Sequence, residues 1–159
     1  MRRKDRQITD HGQILDIVRR CRVCRLALNN GDYPYIVPLN YGFEDTPEGL
    51  VLYFHSASRG TKLDLMAADP HAAFEMDCGT ELISGSEPGE CSMAYESVMG
   101  RGTLEMLEGE EKLRALQLLV DHYHPEGFDW NRAHIPYTVV FKLTAEELTA
   151  KCRPNPWKC

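Results

Sequence analysis

At 159 residues, 43% hydrophobic and 26% charged, the chain is long enough to bury one core and too short for two ordinary domains, so residues 1–159 are read as a single domain. No apolar run approaches the ~18 to 20 residues that cross a bilayer, which excludes a membrane-spanning helix. The net charge of −6 is uneven, with +5 on residues 1–30 and −11 on the rest; a mostly acidic surface argues against nucleic acid as a partner, and the basic start reads as a solvated helix and arm.

In chain order, the opening MRRKDRQITD is basic but is followed by no apolar signal segment or cleavage site, so a cytoplasmic location is expected. Asp10 is placed to cap a first helix reaching about Arg20, with Ile14, Leu15, Ile17 and Val18 as its apolar stripe. Val23 to Leu28 reads as a strand and Asn29-Asn30-Gly31-Asp32 as a hairpin turn, because Asn and Gly take positive φ at little cost. The next strand runs from Tyr35 to Phe43, and Pro38, lacking the ladder N–H, predicts an edge position or a bulge there. Asp45 to Gly49 makes a second turn and Leu50 to His55 a third strand, so two successive hairpins predict an antiparallel meander.

Beyond them, Leu63, Leu65, Met66 and Ala67 predict a short helix ending before Asp69-Pro70, His71 to Met76 a strand and Ser84 to Glu90 a loop. Tyr95 to Leu107 reads as a long strand in which Gly100 and Gly102 mark a bend. A helix from Glu110 to His122 places Leu113, Leu116, Leu119, Val120 and Tyr123 on one face, and Tyr137 to Leu143 is the last strand. Six antiparallel strands with two or three peripheral helices predict a mainly β fold, a small barrel.

The corner Tyr53-Phe54-His55-Ser56-Ala57-Ser58-Arg59-Gly60-Thr61-Lys62 leads from a strand into a helix. Free N–H groups at a helix N-terminus favour negative charge. Ser56, Ser58 and Thr61 offer hydroxyls, Gly60 allows close approach, and Arg59 and Lys62 supply charge, so the corner is built to cradle a phosphate. Thr61 between Gly60 and Lys62 excludes a Walker A loop. The bland alternative is a polar turn that caps a helix.

The ordered set of Tyr35-Ile36-Val37-Pro38-Leu39-Asn40-Tyr41, Leu52-Tyr53-Phe54-His55-Ser56-Ala57 with Gly60-x-Lys62, and Tyr95-x-Ser97-Val98 with Gly100 or Gly102 resembles the pyridoxamine 5′-phosphate oxidase-related flavin-binding proteins, in particular the 5-nitroimidazole resistance group, across nearly the whole chain. The resemblance implies a six-stranded FMN-binding split β-barrel, a homodimer with flavin in clefts at the subunit interface. It further implies a ring lying along Pro38, Leu39, Asn40 and Tyr41, a phosphate held by His55, Ser56, Ala57, Gly60 and Lys62, and an approach by Ser97 and Val98. His55 is a candidate for acid/base chemistry as well as for cofactor contact. The activity expected is FMN-dependent electron transfer from a reduced nicotinamide or another donor to a small organic acceptor, nitroaromatics included; the alternative is a non-catalytic flavin- or haem-binding module. The tail at Cys152-Arg153-Pro154 lacks the extended basic signature of pyridoxamine phosphate oxidase itself, and whether Lys151 or Trp157 reaches the cofactor stays open.

Six cysteines at irregular spacing are read as reduced thiols without a structural disulfide. Cys21-x-x-Cys24 lacks the second pair of a zinc ribbon, and His122, His124 and His134 are read as a surface helix end and loop, so no metal site is expected.

Overall fold

The computed structural model describes residues 3–85, 87, 89–130 and 132–154. Trp157, Cys159 among the six cysteines, and Ser86 and Pro88 of the loop from Ser84 to Glu90 lie outside the described residues.

After a 3-10 turn (Lys4–Arg6), eight strands form one antiparallel sheet: β1 (Gln7–Ile8), β2 (Cys24–Leu28), β3 (Tyr35–Leu39), β4 (Gly42–Thr46), β5 (Gly49–Ala57), β6 (His71–Ser84), β7 (Cys91–Leu107) and β8 (Thr138–Arg153). Three helices accompany them, α1 (His11–Arg20), α2 (Thr61–Ala68) and α3 (Gly109–Tyr123), and a second 3-10 turn (Arg132–Tyr137) precedes β8. The strand order is β3-β2-β6-β7-β8-β5-β4, with β1 paired to β8.

The predicted strand Tyr35 to Phe43 is two strands, and this changes the topology. β3 and β4 stand at opposite ends of the sheet although only Asn40 and Tyr41 separate them. Three Cα steps of ~3.8 Å span at most about 11 Å. Seven flat strands with ~4.8 Å gaps would hold those edges about 29 Å apart. The sheet must therefore curl until its edges nearly meet, which is a barrel split between β3 and the β4–β5 side. The two hairpins are not a meander; they are the two lips of the split. Pro38 is on the edge strand β3, paired only inward with Arg25, as its missing N–H predicts. The two strands beyond the expected six are this division and the short β1.

β5 reads Leu50-Val51-Leu52-Tyr53-Phe54 without alternation because both its faces are covered. Leu50, Leu52 and Phe54 point into the barrel core with Leu26, Met76, Phe141 and Leu143, while Val51 and Tyr53 pack outward with Ala115 and Leu116 of α3. The Phe54 and Phe141 rings stack with centroids 5.3 Å apart, an arrangement worth about 1 kcal/mol beyond burial. α1 is capped as its sequence predicts, Asp10 Oδ1 accepting from the Gln13 N–H at 2.8 Å, and buries Ile14, Ile17 and Val18. Register shifts between Cys78 and Glu81 of β6 and opposite Arg101 and Gly102 of β7 place an extra residue in β6 and in β8, where the ladders bend.

α3 lies so close to β4 that a Cβ on Gly42 would sit 2.5 Å from the backbone nitrogen of Leu119. Gly42→Ala is expected to lower stability by about 1–3 kcal/mol through this overlap, read as a shift in the urea unfolding midpoint; an unchanged midpoint would mean that α3 does not rest on β4.

Candidate functional site

The split itself is the candidate site. The last ladder pair between β4 and β5 is Gly42↔Tyr53, so Phe54 to Ala57 pair with β8 alone and leave their other edge open. Across the split stands β3, whose outer edge carries Pro38 and Leu39, followed by exposed Asn40. The stretches Pro38 to Asn40 and His55 to Ala57 thus line opposite lips of one opening.

At the end of β5, buried Ser56 faces Lys62, whose Nζ donates to Ser56 Oγ at 2.6 Å. Gly60 begins α2 at φ 138, a conformation that side chains resist, with nothing within 4 Å of the space a Cβ would take. No side chain caps α2. The Thr61 and Lys62 N–H groups, the other ammonium hydrogens of Lys62 and the proton of Ser56 remain as donors within the stretch from Ser56 to Lys62. Ser58, Arg59 and Thr61 are exposed around it.

His55 belongs to the other face. Strand alternation turns its ring toward α3, where it lines a cavity of about 200 Å³ with Leu116, Leu119, Trp130, His134 and Ile135. His55 keeps an exposed surface, and partial shielding by its neighbours, with secondarily the charge of Lys62, holds its pKa below the ordinary 6.5. Of the adjacent residues His55 and Ser56, only Ser56 therefore presents its side chain to Lys62.

The side chain of Tyr41 is turned into the core. Its ring is fully buried, and its hydroxyl lies 2.7 Å from the Val18 carbonyl and 3.1 Å from that of Cys21. Its N–H donates to the Tyr123 hydroxyl at 3.3 Å, which in turn donates to Arg22 O at 2.7 Å. Beside it, His122 Nε2 donates to Cys21 O at 3.1 Å, so His122 is a half-buried part of this clamp and not a surface residue. Tyr123 was legible in the sequence only as part of an apolar stripe; nothing local signals its bond to Tyr41.

Ser97 and Val98 are not brought to the Lys62 corner within one chain. Ser97 pairs with Lys151 and Ser56 with Val139, so the contour along β8 between them is on the order of 40 Å. They lie instead near the cross-strand row Pro38–Arg25–Glu75–Met99. Lys151 is paired to Gln7 and Ser97, equally remote from Ser56 along β8. Among the described residues, no group of three or more His, Cys, Asp or Glu is arranged to hold a metal ion, and no helix is long and apolar enough to cross a membrane.

Residues 10–152 match the family model described as pyridoxamine 5′-phosphate oxidase. No curated protein matches the chain. Among solved structures, a candidate 5-nitroimidazole antibiotic resistance protein from Bacteroides thetaiotaomicron is similar at 28% identity, covering 91% of this chain and 85% of that one with a TM-score of 0.77. The flavocytochrome Anf3 from Azotobacter vinelandii (18% identity, 98% and 73% covered, TM-score 0.78) and an FAD- and heme-binding protein from Mycobacterium smegmatis (21%, 92% and 73%, 0.76) share the fold.

Because His55 binds its proton less readily in the folded chain than in the unfolded one, its contribution to stability is present at neutral pH and is lost as pH falls below about 6.5. In an NMR titration, Lys62→Met is expected to raise the His55 midpoint without restoring its ordinary value, since burial, the larger cause, remains; a midpoint that stays put would remove Lys62 from the field of His55.

Proposed function

The chain belongs to the pyridoxamine 5′-phosphate oxidase family, and from that premise we propose that it is an FMN-dependent oxidoreductase that anchors the FMN phosphate at the Ser56–Lys62 corner. The observation that carries this reading is the donor set at that corner, where a buried serine, a lysine ammonium and an uncapped helix start converge beside open space at Gly60. Such a set fits a phosphate dianion in charge and in hydrogen-bond sense.

Lys62, held by Ser56, would meet the phosphate from one side, and the Gly60 to Lys62 backbone would approach it from the other. His55 and Ala57 would contribute their main chain at the open edge of β5. Pro38, Leu39 and Asn40 would flank the ring on the facing lip, with Tyr41 holding that lip in place from behind. The bound flavin would supply hydride transfer between a reduced nicotinamide or another donor and a small organic acceptor. The similarity to the Bacteroides thetaiotaomicron protein supports a nitroaromatic acceptor.

A homodimer completes this reading. In this reading Ser97 and Val98, remote from Ser56 along β8, would approach the flavin from a second copy. Exposed Ile36, Leu82, Met93 and Met99 supply apolar surface for such a partner.

Titration with FMN, FAD and riboflavin, followed by flavin absorbance and fluorescence, tests the reading. FMN is expected to bind much more tightly than riboflavin, and Lys62→Ala to weaken FMN about tenfold to a hundredfold, the equivalent of losing one charge-assisted bond of about 1.5–3 kcal/mol, while leaving riboflavin nearly unchanged. Equal loss for both flavins would move the phosphate elsewhere. By sedimentation the chain is expected at twice its 18.1 kDa, and a monomer that binds FMN at full affinity would overturn the shared site.

A further inference from the structure

Cys21-x-x-Cys24 has the spacing of a redox pair, but the fold gives Cys21 a different neighbour. Cys21 follows the last residue of α1 and is fully buried, and Cys78 on β6 packs against the same core cluster. Contacts on either side hold the two together. Arg20 Nη1 lies 3.7 Å from Cys78 Sγ and also pairs with Glu96, the residue opposite Cys78 on β7. The Tyr41 hydroxyl reaches both Cys21 O, at 3.1 Å, and Met76 Sδ, at 3.4 Å. Met76 is two residues from Cys78 and so lies on the same face of β6.

The other thiols are placed differently. Cys24 is buried in β2 and paired with Leu39, and burial pushes its pKa up to about 12. Cys152 and Cys78 are both paired with Glu96 from opposite sides. Two ladder spacings, ~10 Å, separate their Cα atoms, beyond the ~7 Å that a disulfide spans.

We propose that Cys21 and Cys78 form a peroxide-responsive thiol pair that closes into an intramolecular disulfide. Cys78 is half-buried where Cys21 is enclosed, so it meets the oxidant first. Its thiolate attacks the O–O bond of hydrogen peroxide, takes one oxygen as a sulfenic acid and releases the other as water. The Cys21 sulfur then loses its proton and displaces the sulfenic oxygen, which leaves as a second water. Two thiols and one peroxide become one disulfide and two waters. The Arg20 guanidinium favours the Cys78 thiolate, while burial holds both thiols up, so the reaction is slow and quickens with pH. The new bond fastens the end of α1 to β6 beside Tyr41, the residue that holds the joint of the barrel.

The full chain, treated with a few equivalents of hydrogen peroxide near neutral and at alkaline pH, is blocked with N-ethylmaleimide and mapped by mass spectrometry. The expected result is the joint loss of two thiols, a Cys21–Cys78 cross-link that dithiothreitol reverses, and faster formation at alkaline pH. Cys78→Ala is expected to abolish every cross-link to Cys21, whereas Cys152→Ala leaves the Cys21–Cys78 bond intact. A Cys21–Cys24 or Cys78–Cys152 cross-link in the wild-type chain, or recovery of all thiols as maleimide adducts, would overturn the pairing. The wild-type map decides the matter even where a variant fails to fold.

Discussion

Everything about this barrel turns on a joint of two residues. Asn40 and Tyr41 connect the strands at the two extremes of the sheet, and the chain can take that path only if the sheet curls back on itself. Tyr41 is the pin. Its hydroxyl is bound at the end of α1 and its N–H is bound by Tyr123 at the end of α3, so two helices from distant parts of the chain fasten the same residue. Each such bond is worth only about 1 kcal/mol net, but left unmade inside the core each would cost more. The arrangement specifies one position for the joint more than it adds stability.

From the joint follows the division of labour along β5. Its first half is covered on both faces and edges, which is why it reads as an unbroken apolar run. Its last residues lose β4 as a neighbour and gain an open edge, and there the sequence turns polar. Adjacent residues in that stretch serve opposite faces: Ser56 meets Lys62, and His55 looks into the cavity under α3. The Ser56–Lys62 corner and a largely apolar cavity are thereby set back to back across a single strand.

Much of this was legible in the sequence, because many of its determinants are local. Asp10 as a cap, Pro38 at an edge and the Ser56–Lys62 corner follow from side-chain chemistry within a few residues of each position. What could not be read depends on contacts between distant segments. Alternation continues through Leu39-Asn40-Tyr41-Gly42-Phe43, so no local signal announces that the strand changes neighbours there. That the Tyr41 side chain is core could not be read, because its partners Val18 and Tyr123 lie on helices and Cys21 just past the end of one. β6 and β8 run well past their predicted ends, since pairing with the long β7 outweighs the weak strand propensity of Glu146 and Glu147. The separation of Ser97 and Val98 from Ser56 is a matter of register, which composition does not encode.

β8 sits between β7 and β5 and also receives β1, so the last of the described strands is an interior one, and residues such as Val51, already paired with Glu44, gain their second neighbour only at Thr144. During synthesis, the two early hairpins can form as they emerge, but β5 and β7 each wait with an unsatisfied edge until β8 leaves the ribosome. Nascent chains stalled before Thr138 would present two long apolar strand edges to one another. The burden on the cell's chaperones should therefore last until β8 has been made and end when it docks.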